Sequence, residues 1–180
     1  MSVKKNKADK HLKILACSAI FVALSIVCGK YLQIPVGDIL RFSFENLPII
    51  LSGFVFGPLA GVIVGVLADL LGCVLVGYSI NPIITLGAAT VGAVSGICSI
   101  IFKKCPLWLR LIPSVSLSHI LGSVVVKTFG LAAWYDMPIP ELMLWRLLNY
   151  TIVGVLEYTL LLIILKNKTV SGQIKSILED

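Results

Sequence analysis

The chain alternates between long apolar runs and short polar punctuation. Apolar runs cover roughly residues 12–32, 44–57, 59–77, 82–102, 111–131 and 141–165. A bilayer-crossing helix needs about 20 predominantly apolar residues. Five of the runs meet that length, and the pattern predicts six spans. The second is short and opens on the polar stretch "RFSFENLP". It is expected to enter obliquely or partly as a re-entrant element, tolerated only against protein or water. "FGPLAG" around Gly57 and Pro58 predicts the turn between the second and third spans.

The first run follows a basic stretch, "KKNKADKHLK", and so has the outline of a signal peptide. It continues to Leu32 without a small-residue cleavage site and is read as a retained first helix.

Charge then orients the spans. Lys4, Lys5, Lys7, Lys10 and Lys13 precede the first, Lys103, Lys104 and Arg110 join the fourth and fifth, and Lys166, Lys168 and Lys175 follow the sixth. Six crossings put all three clusters on one side, which the positive-inside rule makes cytoplasmic. Both termini are therefore expected there, with 1–11 and 166–180 as tails of a single domain covering 1–180. The outer side receives loops 31–43, 77–82 and 131–140. The last holds Trp134 and Tyr135, either an interfacial belt or a lid over a ligand.

Composition agrees with this fold class, an all-α polytopic membrane bundle. Of the 180 residues, 58% are hydrophobic and 13% charged, against about 25% charged in soluble domains. The net charge of +6 belongs to membrane flanks, so nucleic acid is not an expected partner. Five cysteines form no C-x-x-C pair and read as packing residues.

Against so apolar a background the ionisable residues inside the spans stand out, because such groups face cavities or partners. His119, Ser123 and Lys127 recur every four residues and share one face of the fifth span. Arg146, Asn149, Tyr150, Val153 and Glu157 share a face of the sixth, and Gly61, Gly65, Asp69 and Gly72 a face of the third. Glu45 and Asn46 open the second. At about 1.5 Å per residue, Lys127, Arg146 and Asp69 converge on the outer half, with His119 and Glu157 deeper. Each has a plain structural alternative: Lys127 and Arg146 snorkelling to the interface, Asp69 neutralising one of them, His119 and Glu157 forming a buried hydrogen-bonded pair. Two cations at one depth near Trp134 and Tyr135 instead describe an outward pocket for an anionic, partly aromatic ligand.

"GSVVVKT" (122–128) resembles half of a phosphate-binding loop, but Val126 stands where G-x-x-x-x-G-K-[ST] needs its second glycine. With no nucleotide or metal motif present, neither cofactor nor metal is expected. ATP-driven transport would need another chain for hydrolysis. Ala19 and Ala23 make a small-xxx-small step in the first span, for internal packing or for a docking partner.

Three segments, "LRFSFENLPIILSGFVFGPLAGVIVGVLADLLGC", "GYSINPIITLGAATVGAVSG" and "SHILGSVVVKTFGL", together resemble the folate-specific substrate-binding (S) components of energy-coupling factor transporters, over residues 12–165. The resemblance implies a six-helix bundle in the bacterial plasma membrane and capture of folate or a reduced folate from outside. It also implies docking to a transmembrane T component with two cytoplasmic ATPases. Ala19 and Ala23 match the family's alanine motif for contacting the T component, and the family further implies that the whole S component topples to release its ligand inward. A non-enzymatic role follows. The alternatives are an S component for another vitamin, such as riboflavin or thiamine, and an intramembrane enzyme using Glu157 and His119.

Folate chemistry then suggests roles. Its glutamate tail has two carboxylates, suited to charge-assisted bonds from Lys127 and Arg146. Its pterin donors suit Asp69, Glu45, Asn81 or Asn149. Trp134, Tyr135, Phe42 and Phe44 are candidates to stack on or cover the rings, with loops 31–43 and 131–140 closing over them. The competing arrangement pairs Arg146 with Asp69 and leaves Lys127 alone for the tail.

Overall fold

Helix boundaries follow the punctuation. The computed structural model describes residues 2–36, 40–136 and 138–179. Helix α1 (Ser2–Ile26) continues into a π-helical segment, Val27–Tyr31. Strands β1 (Ile34–Val36) and β2 (Leu40–Phe42) follow, then α2 (Asn46–Phe56), α3 (Pro58–Val76) and α4 (Pro82–Ile101). Helix α5 (Leu107–Ser118), a second π-helical segment (His119–Val126) and α6 (Lys127–Tyr135) form one continuous rod. Helices α7 (Ile139–Lys166) and α8 (Lys168–Glu179) complete the chain.

Proline at the first turn opens α3 and α4, where its missing N–H costs nothing. Gly77 closes α3 in the left-handed conformation. Its N–H bonds Val74 O, and the Tyr78 N–H bonds Cys73 O at 2.9 Å, the paired bonds of a Schellman cap.

Five helical stretches have the length and apolarity to cross a membrane: Asp9–Tyr31, Pro58–Val76, Pro82–Ile101, Leu107–Trp134 and Ile139–Lys166. Helix α2 has only 11 residues, and its segment Asn46–Phe54 is buried throughout. Interior packing explains how so short a helix is tolerated: Asn46–Phe54 is buried against protein, and hydroxyls of neighbouring helices reach its carbonyls. Ser25 Oγ donates to Glu45 O at one end, while at the other Ser95 and Ser99 donate to the carbonyls of Ile50 and Phe54, each at 2.7 Å. These bonds run α2 antiparallel to α1 and parallel to α4. Gly61 faces Gly92, Gly65 faces Ala88 and Asp69 bonds Thr85, so α3 and α4 are antiparallel. The six rods alternate in direction. Lys10 Nζ donates to the carbonyl of Leu178, bringing the N-terminal end of α1 beside α8.

Along the α2–α3–α4 seam, a Cβ on Gly53, Gly61, Gly92 or Gly96 would collide with backbone of a facing helix. Small residues allow this approach where lipid supplies no hydrophobic drive. The hydrophobic core lies beside the seam and includes Ile49, Ile50, Val64, Val91 and Leu111.

Three expectations need correction. Loop 31–43 contains an antiparallel hairpin with Ile34 opposite Phe42, a small addition to an all-helical bundle. Loop 131–140 is mostly helix: α6 has no breaker before Asp136, which takes a left-handed conformation (φ 52°) and bonds Ala132 O. Residues 168–179, expected as a tail, form α8, whose N-terminus is capped by Asn167 Oδ1 accepting from the Thr169 N–H.

Candidate ligand-binding site

Buried polar side chains from every long helix meet near the ends of α1 and α3 and the starts of α2 and α4. Glu45 sits at the N-terminus of α2. Its Oε1 accepts from Lys127 Nζ at 2.8 Å, and its side chain packs against Gly29 in the first π segment. Among the described residues Lys127 is the cation that ion-pairs with that carboxylate. The Lys127 side chain is 6% exposed and that of Glu45 25%. An ammonium so deep needs a partner, because the interior repays desolvation only through close pairing. The Lys127 stem lies against Gly87 of α4, where any side chain would displace it. Gly72 of α3 makes the same kind of room for Lys30, whose ammonium lies 5.6 Å from the Tyr78 ring centroid.

Arg146 forms no ion pair with Asp69. Its Nε and Nη2 donate to Ser123 O at 3.0 and 2.7 Å, and its guanidinium lies 5.3 Å from the Tyr150 ring centroid. Ser123 lies within the second π segment, His119–Val126. Asn46 Nδ2 donates to Ser123 Oγ at 3.1 Å, tying α2 to the same turn. Asp69 is buried and accepts from Thr85 Oγ1 at 2.6 Å. Asn149 is buried on α7, between Arg146 and Val153 on the inward face.

The other candidates separate from this group. Asn81 is committed to structure: its Oδ1 accepts from the N–H groups of Ile83 and Ile84 at the start of α4, and its Nδ2 donates to Gly130 O at 2.9 Å. The Asn-Pro pair at 81–82 is an N-cap followed by a first-turn proline, a signal legible in the sequence. Phe44 packs against the hydrophobic core, and Phe42 is half-buried at the end of β2. Trp134 is 52% exposed on the last turn of α6, which suits an interfacial belt rather than a lid. The Tyr135 side chain lies outside the described residues. Ala19 and Ala23 are exposed on α1, so internal packing is not their role.

Lys30 and Thr85 were not anticipated. Lys30 lies near the end of the first apolar run, in the π segment Val27–Tyr31 that closes the helix. Thr85 lies four residues after Asn81, on the turn of α4 that meets Asp69.

Deeper in the same two rods, His119 Nε2 and Glu157 Oε2 lie 2.7 Å apart, and the imidazole stacks on Tyr150 at 5.1 Å. A half-open, largely apolar groove of about 380 Å³ runs beside them between α5 and α7.

Comparison with known proteins places the whole chain. A family model described as "ECF transporter, substrate-specific component" matches residues 13–178. The chain belongs to this family. It is thus an integral membrane S component, a transporter part rather than an enzyme, and membership implies T-component and ATPase partners in general. Among curated relatives, the Folate transporter FolT of Clostridium novyi (strain NT) is 26% identical over 145 residues, covering 80% of this chain and 83% of the relative. An uncharacterized protein of Mycoplasma pneumoniae is 33% identical over 73 residues. That match covers 41% of the S component and spans only 25% of the relative's length. Among solved structures, a crystal structure of FolT bound with folic acid superposes with a TM-score of 0.67 and 25% identity, covering 82% of this chain and 89% of that one. An S component for biotin superposes with a TM-score of 0.64 and 18% identity, over 84% and 90% of the two chains, a likeness of fold alone.

Proposed function

We propose that this S component binds folate and delivers it through an ATP-driven energy-coupling factor transporter. The observation that carries the reading is the likeness, over most of both chains, to FolT bound with folic acid. The FolT relative from Clostridium novyi supports it independently. The charge of the cluster supports it chemically. Lys127 and Arg146 bring two cations to one cluster, chemistry suited to an anionic ligand.

In this reading Lys127 and Arg146 hold the carboxylates of the glutamate tail. Arg146 keeps its bonds to Ser123 O through one edge while the rest of its fork reaches the ligand. Asp69 and Asn149 accept from or donate to the pterin edge. A buried polar site of this kind rejects analogues that lack matching groups, because its own groups are then left unpaired. The three lysine-rich flanks lie on the cytoplasmic side, both termini with them, and α2 counts as the second of six crossings. The exposed Ala19 and Ala23 form the docking face for the T component, and two ATPases complete the transporter.

Mass spectrometry of the small molecule that co-purifies in detergent tests the reading directly. A folate is the expected result. Biotin, riboflavin or thiamine in its place would overturn the vitamin assignment and leave the family membership standing.

A further inference from the structure

Glu45 is held from three directions, and only one of them is an ion pair. Its Oε1 takes the Lys127 ammonium at 2.8 Å. Its backbone carbonyl accepts from Ser25 Oγ at 2.7 Å. Its side chain lies against Gly29, where an added Cβ would sit 2.9 Å from both Glu45 Cβ and Oε2. Ser25 and Gly29 are four residues apart and share the inward face of the first helix with Ser18, Val22 and Ile26, all buried. Ala19 and Ala23 are on its exposed side. Ala23 lies only about 3 Å along the axis from Ser25, at 1.5 Å per residue. The carboxylate paired with Lys127 is thus mechanically joined to the helix whose outer face carries the exposed alanines.

The helix is irregular at that point. The π segment Val27–Tyr31 begins directly after Ile26 and contains Gly29 and Lys30. A second π segment, His119–Val126, ends directly before Lys127. Both contacts of the Glu45 carboxylate therefore lie in or beside π-helical segments, a rare form frequent at functional sites. No other carboxylate among the described residues ion-pairs with Lys127.

We propose that Glu45 is a latch. An anionic group of the ligand exchanges for Glu45 on Lys127, and the released Glu45 moves together with the Ser25–Gly29 turn, so that occupancy of the site resets the pose of α1 and with it the docking face. Exchange of one carboxylate for another at the same ammonium leaves charge balance at Lys127 unchanged. The latch makes the docking-competent pose a minority in the ligand-free protein, and the ligand shifts that population. Glu45 is in this account a positioning residue. The proposal rests on the reading of the chain as a substrate-capturing S component and does not depend on which anionic vitamin it binds.

Two variants test it. Glu45→Gln keeps the shape and the Ser25 bond but removes the charge that holds Lys127. Ser25→Ala keeps the ion pair but cuts the tie to α1. The readouts are the affinity of the ligand-free protein for its energy-coupling module and hydrogen exchange across residues 22–31, each repeated with folate. Ligand-free Glu45→Gln is expected to dock about tenfold more tightly than wild type, within the usual range of coupling between sites. Its exchange in 22–31 should already resemble the ligand-loaded state. Ser25→Ala is expected to bind folate as wild type does, yet dock equally with and without it. Wild-type docking and exchange in both ligand-free variants would overturn the latch whatever the vitamin. Failure of the wild type to bind folate overturns the folate assignment alone, since the ligand-free arms still decide the latch.

Discussion

The rod α5–α6 and helix α7 meet in two places through charged side chains, and the two meetings are built differently. Near Lys127 and Arg146, side chains from α1, α2, α3 and α4 join in, and Glu45 remains partly exposed. Two turns below Lys127, His119 and Glu157 pair one to one, with side-chain exposures of 4% and 0%. A one-to-one pair fixes two helices in register, although His119 Nδ1 and Glu157 Oε1 have no partner of their own. A cluster drawn from many elements keeps a capacity that a ligand can complete. Sequence spacing alone put His119 and Lys127 on the same stripe of the same helix. Depth and partner number separate their roles.

That contrast can be broken most forcefully at the buried pair. Glu157→Ala leaves His119 buried without its partner and is expected to cost about 3–5 kcal/mol, the usual penalty for removing one half of a buried pair. Thermal unfolding in detergent should show a large drop in midpoint, while protein that remains folded binds folate as wild type does. A folate affinity lost in proportion would move the pair into the binding site. Lys127→Ala should do the reverse, weakening folate binding about 30- to 100-fold, near 2–3 kcal/mol, in titration calorimetry. Unchanged affinity there would remove Lys127 from the site. Arg146→Ala should cost about tenfold in affinity, because its bonds to Ser123 O spend part of its fork on the protein. An effect larger than that of Lys127→Ala would make Arg146 the main anion holder. The smallest change is expected for Asn81→Ala, a lost N-cap of about 1 kcal/mol read as a small fall in melting midpoint with folate affinity intact. Weakened folate binding in that variant would return Asn81 to the ligand.

Much of this was legible in the sequence, and the exceptions have physical causes. Apolar run length located the five long rods, because backbone hydrogen bonds must close within each span. Faces were legible from steps of three and four: Arg146, Asn149, Val153 and Glu157 do lie along the inward side of α7. Partners were not. Lys127 and Glu45 are 82 residues apart, and no local pattern tells a lysine which of several carboxylates it will meet. The π segments were equally hidden: Gly29 and Gly122 lie within them, but a glycine in an apolar run does not tell a π segment from an α-helix. The end of α6 was misplaced because aromatic residues beside prolines resemble a loop, although nothing before Asp136 obliges the helix to stop.

Where α2, α3 and α4 meet, backbone touches backbone through Gly53, Gly61, Gly92 and Gly96. A contact made without side chains has no rotamers to repack and no soft layer to compress. It therefore supplies a fixed datum inside the molecule. A pair of spectroscopic labels with one member on α3 and the other on the outer turn of α1 would read any change as travel of α1 alone, and the distance between them would serve as a ruler for occupancy.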